Sequence, residues 1–328
     1  MKALVTGGGG FLGTAIIRQL RQRGDAVRSL SRTRHETLQT LGVEQVKGDL
    51  ANLDSVSSAA DGCDVIFHVA AKAGVWGPFK DYYRANVTGT RNVITACQRH
   101  HIPRLVYTSS PSVVFDGSDM EDVDESAPYA TKFETPYSHT KAEAEQYVLA
   151  ANTPELATVA LRPHLIWGPG DNHLLPRLAC RARAGQLRRI GPGDKRIDTI
   201  YIDNAADAHL LAADRLAPGA VIAGKAYFIS QGEPIETWEI VNRLLTATGA
   251  PPIVKPISKT AALALATLCE LWHQVTLNPG EPVLTRFVVR QLTTSHWYNI
   301  SAARRDLGFN PRISTAEGLQ RLKHQWKA

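Results

Sequence analysis

The feature that most constrains how this chain can fold is a glycine turn set between a short apolar strand and an apolar-periodic helix. It reads Ala3-Leu4-Val5-Thr6-Gly7-Gly8-Gly9-Gly10-Phe11-Leu12-Gly13, and Ala15, Ile16 and Leu20 continue the helical period. Gly7, Gly10 and Gly13 stand at G-x-x-G-x-x-G spacing. One glycine makes the tight turn, one lets backbone N–H groups approach a pyrophosphate, and one lets the helix pack closely on the strand. Phosphates then sit at the positive end of the helix, where N–H groups are free. A glycine run alone says little, but here strand precedes and helix follows, as a dinucleotide fingerprint requires.

The rest of the N-terminal half repeats the alternation. Residues 26–30, Val43–Val46, Asp64–Val69 and Arg104–Thr108 are predicted strands, and helices are predicted from Leu53, over Asp81–Gln98 and from Pro136. Asp64–Val69 is apolar with little alternation, which suits a parallel strand buried on both faces. The expected fold is α/β, a Rossmann-type doubly wound parallel sheet with a smaller C-terminal substrate lobe. Residues 1–165 form the expected NADP-binding domain, with later returns to the sheet, and residues 166–328 the substrate-binding lobe. In the lobe, 174–189, 236–249 and 260–276 read as helices, 199–213 as strand then helix, and Ala226–Ile229 as a short strand.

The second strand ends without the acid that an NAD site sets against the ribose 2′-hydroxyl. Ser31 and Arg32 stand there, with Arg34 close by. A guanidinium can fork onto a 2′-phosphate that a carboxylate would repel. The expected cofactor is therefore NADP(H); otherwise Arg32 is a plain loop charge. Ala70 and Ala71 close the fourth strand with small side chains, leaving room for a close approach. In the loop that follows, Trp76 is either a substrate wall or a core anchor.

Composition excludes several classes. The 328 residues are 44% hydrophobic, enough for a sizeable core. No apolar run reaches the ~18 residues of a spanning helix, and the opening strand leaves no room for a signal peptide. Cys63, Cys97, Cys180 and Cys269 lack metal-type spacing and read as free thiols in a reducing cytoplasm; no metal is expected. The net charge is +6, with basic residues clustered from Arg177 to Arg196. No aromatic interleaving supports nucleic-acid binding. The cluster is a solvated helix face or a field for an anionic cofactor or acid substrate.

Reduction of a ketone needs a proton for the developing alkoxide and donors aimed at it. Ser109 and Ser110 close the fifth strand, and Tyr137 and Lys141 share a helical face four residues apart. A Lys ammonium stabilises a phenolate and so lowers the pKa of a nearby Tyr. Tyr137 is the expected proton donor, Lys141 tunes it and Ser110 holds the carbonyl oxygen.

These residues carry a resemblance that covers essentially the whole chain. Thr6-Gly7-x-x-Gly10-x-x-Gly13, Gly48-Asp49-Leu50, His68-Val-Ala-Ala71 and Asn86-Val-x-Gly89-Thr90 belong to it. So do Tyr107-Thr-Ser-Ser110, Tyr137-x-x-x-Lys141, Leu161-Arg-Pro163, Trp167-Gly-Pro-Gly-Asp171, Tyr201-Ile-Asp-Asn204 and Arg305-Asp-Leu-Gly-Phe309-x-Pro311. The chain resembles the extended short-chain dehydrogenase/reductases, on their 3β-hydroxysteroid dehydrogenase-like branch. The resemblance implies that Phe11, Leu12, Leu50, Ala70, Ala71 and Pro163 line the dinucleotide site with the glycines. It implies that Asp49 meets the adenine, that Asn86 supports the active-site helix, and that Lys141 also bonds the nicotinamide ribose. It makes Ser110 the catalytic serine, with Ser109 the alternative if the strand end is shifted, and it implies a homodimer through the helices at 81–98 and 137–151.

Within the branch, Ala70-Ala-Lys-Ala-Gly-x-Trp76-Gly77, Leu156–Pro163, Leu165–Arg177, Thr285-Arg-Phe287 and His296-Trp-Tyr298 resemble a narrower group. These are bacterial NADPH-dependent reductases of long-chain olefin biosynthesis. That resemblance implies a long-chain 2-alkyl-3-oxo acid as substrate, a β-hydroxy acid as product and pathway enzymes on either side. Lys72 and Arg177 are candidate cations for the substrate carboxylate, and Trp76 and His164 candidate substrate contacts. The apolar stretch 261–277 is a buried helix, or a wall or lid for alkyl chains that touches a membrane surface. Three rivals share parts of the pattern: a steroid dehydrogenase, a nucleotide-sugar epimerase and a non-catalytic NADP sensor. Pro111 and Ser112 replace the acidic pair of the sugar dehydratases, and Pro163 replaces the tyrosine usual in sugar-nucleotide enzymes.

Overall fold

The fold is described from a computed structural model, in which residues 1–191, 193–276 and 280–326 are described. Seven parallel strands form the central sheet: β1 (Lys2–Thr6), β2 (Ala26–Ser31), β3 (Glu44–Lys47), β4 (Val65–His68), β5 (Arg104–Thr108), β6 (Ala157–Pro163) and β7 (Lys225–Ile229). Their spatial order is β7-β6-β5-β4-β1-β2-β3. The longer helices are α1 (Phe11–Gln22), α2 (Leu53–Ala60), α3 (Gly89–Arg99), α4 (Pro136–Ala150), α5 (Leu174–Arg183), α6 (Ile202–Arg215), α7 (Thr237–Ala247), α8 (Lys259–Val275) and α9 (Thr315–Trp326).

The lack of alternation in the strands has a direct structural cause. Ala3 and Val5 of β1 face one hydrophobic layer with Ile16, Ile17 and Leu20 of α1. Leu4 between them faces the opposite layer, with Val93 and Cys97 of α3. β4 does the same with Val65 and Phe67 on one side and Ile66 on the other. Both sheet faces are covered, so apolar side chains are needed on both, and buried polar ones such as Thr6 and His68 are hydrogen-bonded. Each fully buried Val, Leu, Ile or Phe contributes roughly 1.5–3 kcal/mol of transfer free energy.

The register brings the carboxyl ends of the strands level. Thr6 pairs with both Leu30 and His68, and Thr108 pairs with Leu161. β1 lies between β2 and β4, so the connections leave it in opposite directions and a crevice opens above that point. The lobe contributes to the sheet, since β7 pairs with β6, and α6 packs on α1.

Two helix expectations are corrected. The predicted helix over Asp81–Gln98 is interrupted: residues Phe79–Tyr82 are α-helical, Tyr83–Thr88 form a π-turn, and α3 follows. The wider turn coincides with Asn86, whose side chain is drawn into hydrogen bonds described below. The predicted helix over 174–189 stops at Arg183. Gly185 takes φ +64° and donates its N–H to the carbonyl of Ala182, a left-handed C-terminal stop. The stretch 261–277 is helical through Val275, and Leu277 lies outside the described residues. All four cysteines are free, Cys63 and Cys97 of them buried. Among the described residues no helix is long and apolar enough to cross a membrane.

Candidate active site

A cleft of about 1300 Å³ lies above the crevice between β1 and β4. Gly7, Gly10, Phe11, Leu12, Gly13, Ser31, Arg32, Asp49, Leu50, Ala70, Ala71, Lys72, Ser110, Tyr137 and Pro163 all line it. The fold thus gathers residues that are scattered over nearly half the chain. Gly7 sits at φ +70°, and a Cβ there would meet the Cα of Ala70 at 2.8 Å. A Cβ on Gly13 would lie 2.3 Å from the carbonyl oxygen of Gly7. Close packing of turn on strand and helix on turn therefore requires both glycines.

Gly10 is the N-cap of α1, and no side chain caps the helix there. Its first-turn N–H groups have no intrahelical partner and no acid competes for them, which leaves a donor cradle for phosphate oxygens. Arg32 is exposed on the cleft wall and makes no ion pair among the described residues. The donor set fits a dinucleotide. Asp49 also lies on the wall; its Oδ2 accepts from the Arg84 guanidinium at 2.6 Å, and its Oδ1 from the Ala51 N–H at 3.0 Å. Arg84 and His35 line the same wall, and no motif in the sequence singles them out.

Tyr137 and Lys141 are placed by the start of α4. Thr135 caps that helix by accepting from the Ser138 N–H at 3.1 Å, and Pro136 fills the first turn, where no N–H is needed. Tyr137 opens onto the cleft, while Lys141 is buried below it. Lys141 Nζ donates to the carbonyl of Thr108 and lies 4.1 Å from the centroid of the Tyr107 ring. Burial lowers the Lys141 pKa to about 7, and the Glu145 carboxylate one turn further on opposes that shift. Burial raises the Tyr137 pKa, and a hydrogen bond from Ser110 opposes that one. Ser110 itself caps a short 3-10 turn, accepting from the Ser112 N–H at 3.2 Å. Ser109 is buried with its Oγ unpartnered.

Buried polar chains hold these parts in place. His209 donates from Nδ1 to the Ala205 carbonyl at 2.7 Å, so its Nε2 accepts from the Thr108 hydroxyl at 2.8 Å. Asn86 donates to Thr140 Oγ1 at 3.0 Å and to the Lys72 carbonyl at 3.1 Å, and accepts from the Lys72 N–H at 2.7 Å. It thereby ties the loop after β4 to the helix bearing Lys141. His68 bridges Thr6 (2.8 Å) and Thr90 (2.9 Å), and burial lowers its pKa to about 3, so it serves as a neutral strut. Thr6, His68 and Thr90 stand in the sequence motifs, but nothing in the sequence shows that they touch.

The candidate substrate contacts are placed differently. Lys72 lines the cleft, with its ammonium 3.2 Å from Asp81. Trp76 meets His273 of α8 edge-on, at 6.2 Å between ring centroids. His164 sits between two cleft-lining residues, Pro163 and Leu165. Its ring packs at 5.1 Å on His296 and on Tyr298, and Nδ1 lies 2.5 Å from buried Asp198. Leu165 takes φ +42°, a left-handed conformation costing a leucine of order 1–3 kcal/mol. Arg177 is half exposed on α5 and paired with Glu281 at 2.9 Å.

A dinucleotide crevice with a Ser–Tyr–Lys group at its floor defines an oxidoreductase of the extended short-chain dehydrogenase/reductase type, acting on hydroxyl or keto groups. The chain belongs to the 3-beta hydroxysteroid dehydrogenase/isomerase family, whose profile matches residues 4–255. It is similar to the 2-alkyl-3-oxoalkanoate reductase of Stenotrophomonas maltophilia (strain K279a), at 55% identity over 98% of each chain. It is also similar to the 2-alkyl-3-oxoalkanoate reductase of Shewanella oneidensis, at 47% identity over 98% of this chain and 85% of that one. Among solved structures, MoeE5 in complex with UDP-glucose and NAD superposes with a TM-score of 0.74 at 25% identity, over 100% of this chain and 98% of that one. A nicotinamide cofactor is supported by this fold and cleft.

Proposed function

We propose that this protein is an NADPH-dependent reductase of 2-alkyl-3-oxo acids, converting a long-chain β-keto acid to the β-hydroxy acid. The observation that carries the reading is the pair of relatives bearing that activity in their names, matched along nearly the whole chain. The Ser110, Tyr137 and Lys141 geometry supports it. In this reading residues 1–165 hold the cofactor and residues 166–328 the substrate.

The nicotinamide, when bound, supplies hydride to the C3 carbonyl carbon. Ser110 donates a hydrogen bond to the carbonyl oxygen and fixes it beside Tyr137. The Tyr137 hydroxyl gives that oxygen its proton as charge develops. Lys141, held by Thr108, stabilises the phenolate left behind. Arg32 receives the 2′-phosphate that selects NADPH over NADH, and the N–H groups at the start of α1 receive the pyrophosphate. The Lys72 ammonium lies on the cleft wall, where it can meet the substrate carboxylate. Free buried thiols suit action in the cytoplasm, and the half-exposed Phe79 and Tyr147 near the 81–98 and 137–151 helices suit a dimer there.

The test is NADP⁺ reduction with a 2-alkyl-3-hydroxyalkanoic acid, beside NAD⁺ and a 3β-hydroxysteroid. The reverse direction avoids β-keto acids, which lose CO₂. Turnover with NADP⁺ and the hydroxy acid is expected. Turnover on the steroid alone would move the substrate and keep the mechanism, and turnover on neither would remove the reading.

A further inference from the structure

Helix α8 carries its side chains in the reverse of the usual surface order. Towards the protein it buries Ala262, Ala266 and Glu270. Towards solvent it presents Leu265, Leu268, Leu271, Trp272 and Val275, from 47% exposed at Leu265 to 80% at Val275. At 100° per residue these five side chains fall within an arc of ~120°, one continuous apolar stripe. Val283 is 63% exposed, on the segment that Glu270 ties to the helix by accepting from the Arg286 N–H at 2.7 Å. A contiguous exposed patch of large apolar side chains marks an interaction surface.

The surroundings of the stripe are cationic. α5, the strand pair at 189–190 and 256–257, and α8 share one small core, with Ala179, Ala182, Ile190, Ala262 and Ala266 in contact through it. Residues 174–190 and 255–290 contain nine Arg or Lys and two acids, Glu270 and Glu281. Both acids are already neutralised, by Arg286 at 2.6 Å and by Arg177 at 2.9 Å. Arg181, Arg188 and Lys255 have no carboxylate partner among the described residues, and Arg181 donates to the Val283 carbonyl beside the apolar patch. The basic cluster and the apolar stretch lie far apart in sequence, and the fold joins them through a shared core and the Arg181–Val283 hydrogen bond.

We propose that this surface docks on an anionic lipid bilayer, with α8 lying in the plane of the interface. A stripe of Leu and Trp rimmed by arginines is the composition of an interfacial helix, and Trp272 stands where indoles prefer the headgroup level. Unneutralised cations are drawn to acidic headgroups. A second copy is a poorer occupant, because a two-fold contact sets the free arginines of both copies against one another. The surface also adjoins the site: Trp76, on the loop that follows the cleft-lining residues 69–73, touches His273 of α8. Docking there faces the loop beside the cleft towards the lipid. That placement suits a water-insoluble dialkyl acid and rests on the proposed substrate for its purpose; docking itself does not.

The experiment is vesicle flotation of the intact protein, without substrate, on phosphatidylcholine alone and on phosphatidylcholine mixed with phosphatidylglycerol. The protein is expected to float with the mixed vesicles, and about tenfold less with phosphatidylcholine alone or at high salt. Leu268→Ser/Trp272→Ser is expected to lose the flotation about tenfold while keeping its circular dichroism and its dinucleotide affinity. Arg181→Glu/Arg188→Glu is expected to abolish the preference for phosphatidylglycerol. Failure of the protein to float on either vesicle, or flotation that survives both variants, would overturn the proposal. So would lipid-free light scattering that shows an oligomer dispersed by Leu268→Ser/Trp272→Ser, since a second copy would then cover the face. None of these outcomes depends on which ketone is reduced.

Discussion

Lys141 holds its ammonium 4.1 Å from the centroid of the Tyr107 ring while donating to the carbonyl of Thr108, one residue further along the same strand. The strand that carries the serines at its end therefore also positions the lysine to which the proposed mechanism assigns the tuning of Tyr137. Charge at this position is costly because Lys141 is buried, and its pKa falls to about 7 from an ordinary 10.5.

That depression has a sign that can be measured. Between pH 7 and 10.5 the unfolded chain holds the Lys141 proton and the folded chain does not, so stability rises with pH across that window. Lys141→Met removes the titration. The wild-type stability, measured by urea unfolding, is expected to gain on that of the variant from pH 7 upward and to level off above pH 10.5. A constant difference across the window would show that Lys141 stays charged. In the apo protein this window also bounds the ammonium form that the proposed mechanism uses.

Tyr137→Phe keeps the ring and removes the proton. Loss of the general acid is expected to lower kcat by about 10²–10⁴-fold. NADPH affinity, followed by nicotinamide fluorescence, should stay within a few-fold, because the ring still forms the cleft floor. Equal loss of binding and turnover would point to a collapsed cleft.

Arg32→Ala tests the cofactor assignment. One charge-assisted hydrogen bond lost is worth ~1.5–3 kcal/mol, so KM for NADPH should rise about tenfold to a hundredfold while KM for NADH hardly moves. Parallel changes in both would leave Arg32 as a loop charge.

The Arg162–Glu145 pair is a stability determinant below the site. Both side chains are buried, bonded at 2.6, 3.1 and 3.2 Å, and Tyr129 donates to Glu145 at 2.7 Å. Arg162→Met leaves a buried carboxylate without its cation and is expected to cost about 3–5 kcal/mol in chemical denaturation. Arg162→Met/Glu145→Leu should cost less than the two single changes added together. Additive losses would mean that the two residues act separately.

The sequence by itself determined the sheet, the glycine turn and the shared helical face of Tyr137 and Lys141. Glycine spacing at Gly7, Gly10 and Gly13, continuous apolar strands and the four-residue step from Tyr137 to Lys141 are local patterns, set by backbone sterics and helical period. The tertiary structure decided what depends on contact between distant segments. It turned His164 onto Asp198 and tied Arg177 to Glu281. It replaced part of a regular helix with a π-turn at Asn86, because one side chain there satisfies polar groups on both Lys72 and Thr140. It also turned Leu265, Leu268, Leu271 and Trp272 of α8 outward, while Ala262 and Ala266 pack on the lobe. Periodicity reports that a helix has an apolar face, and only packing reports which way that face points.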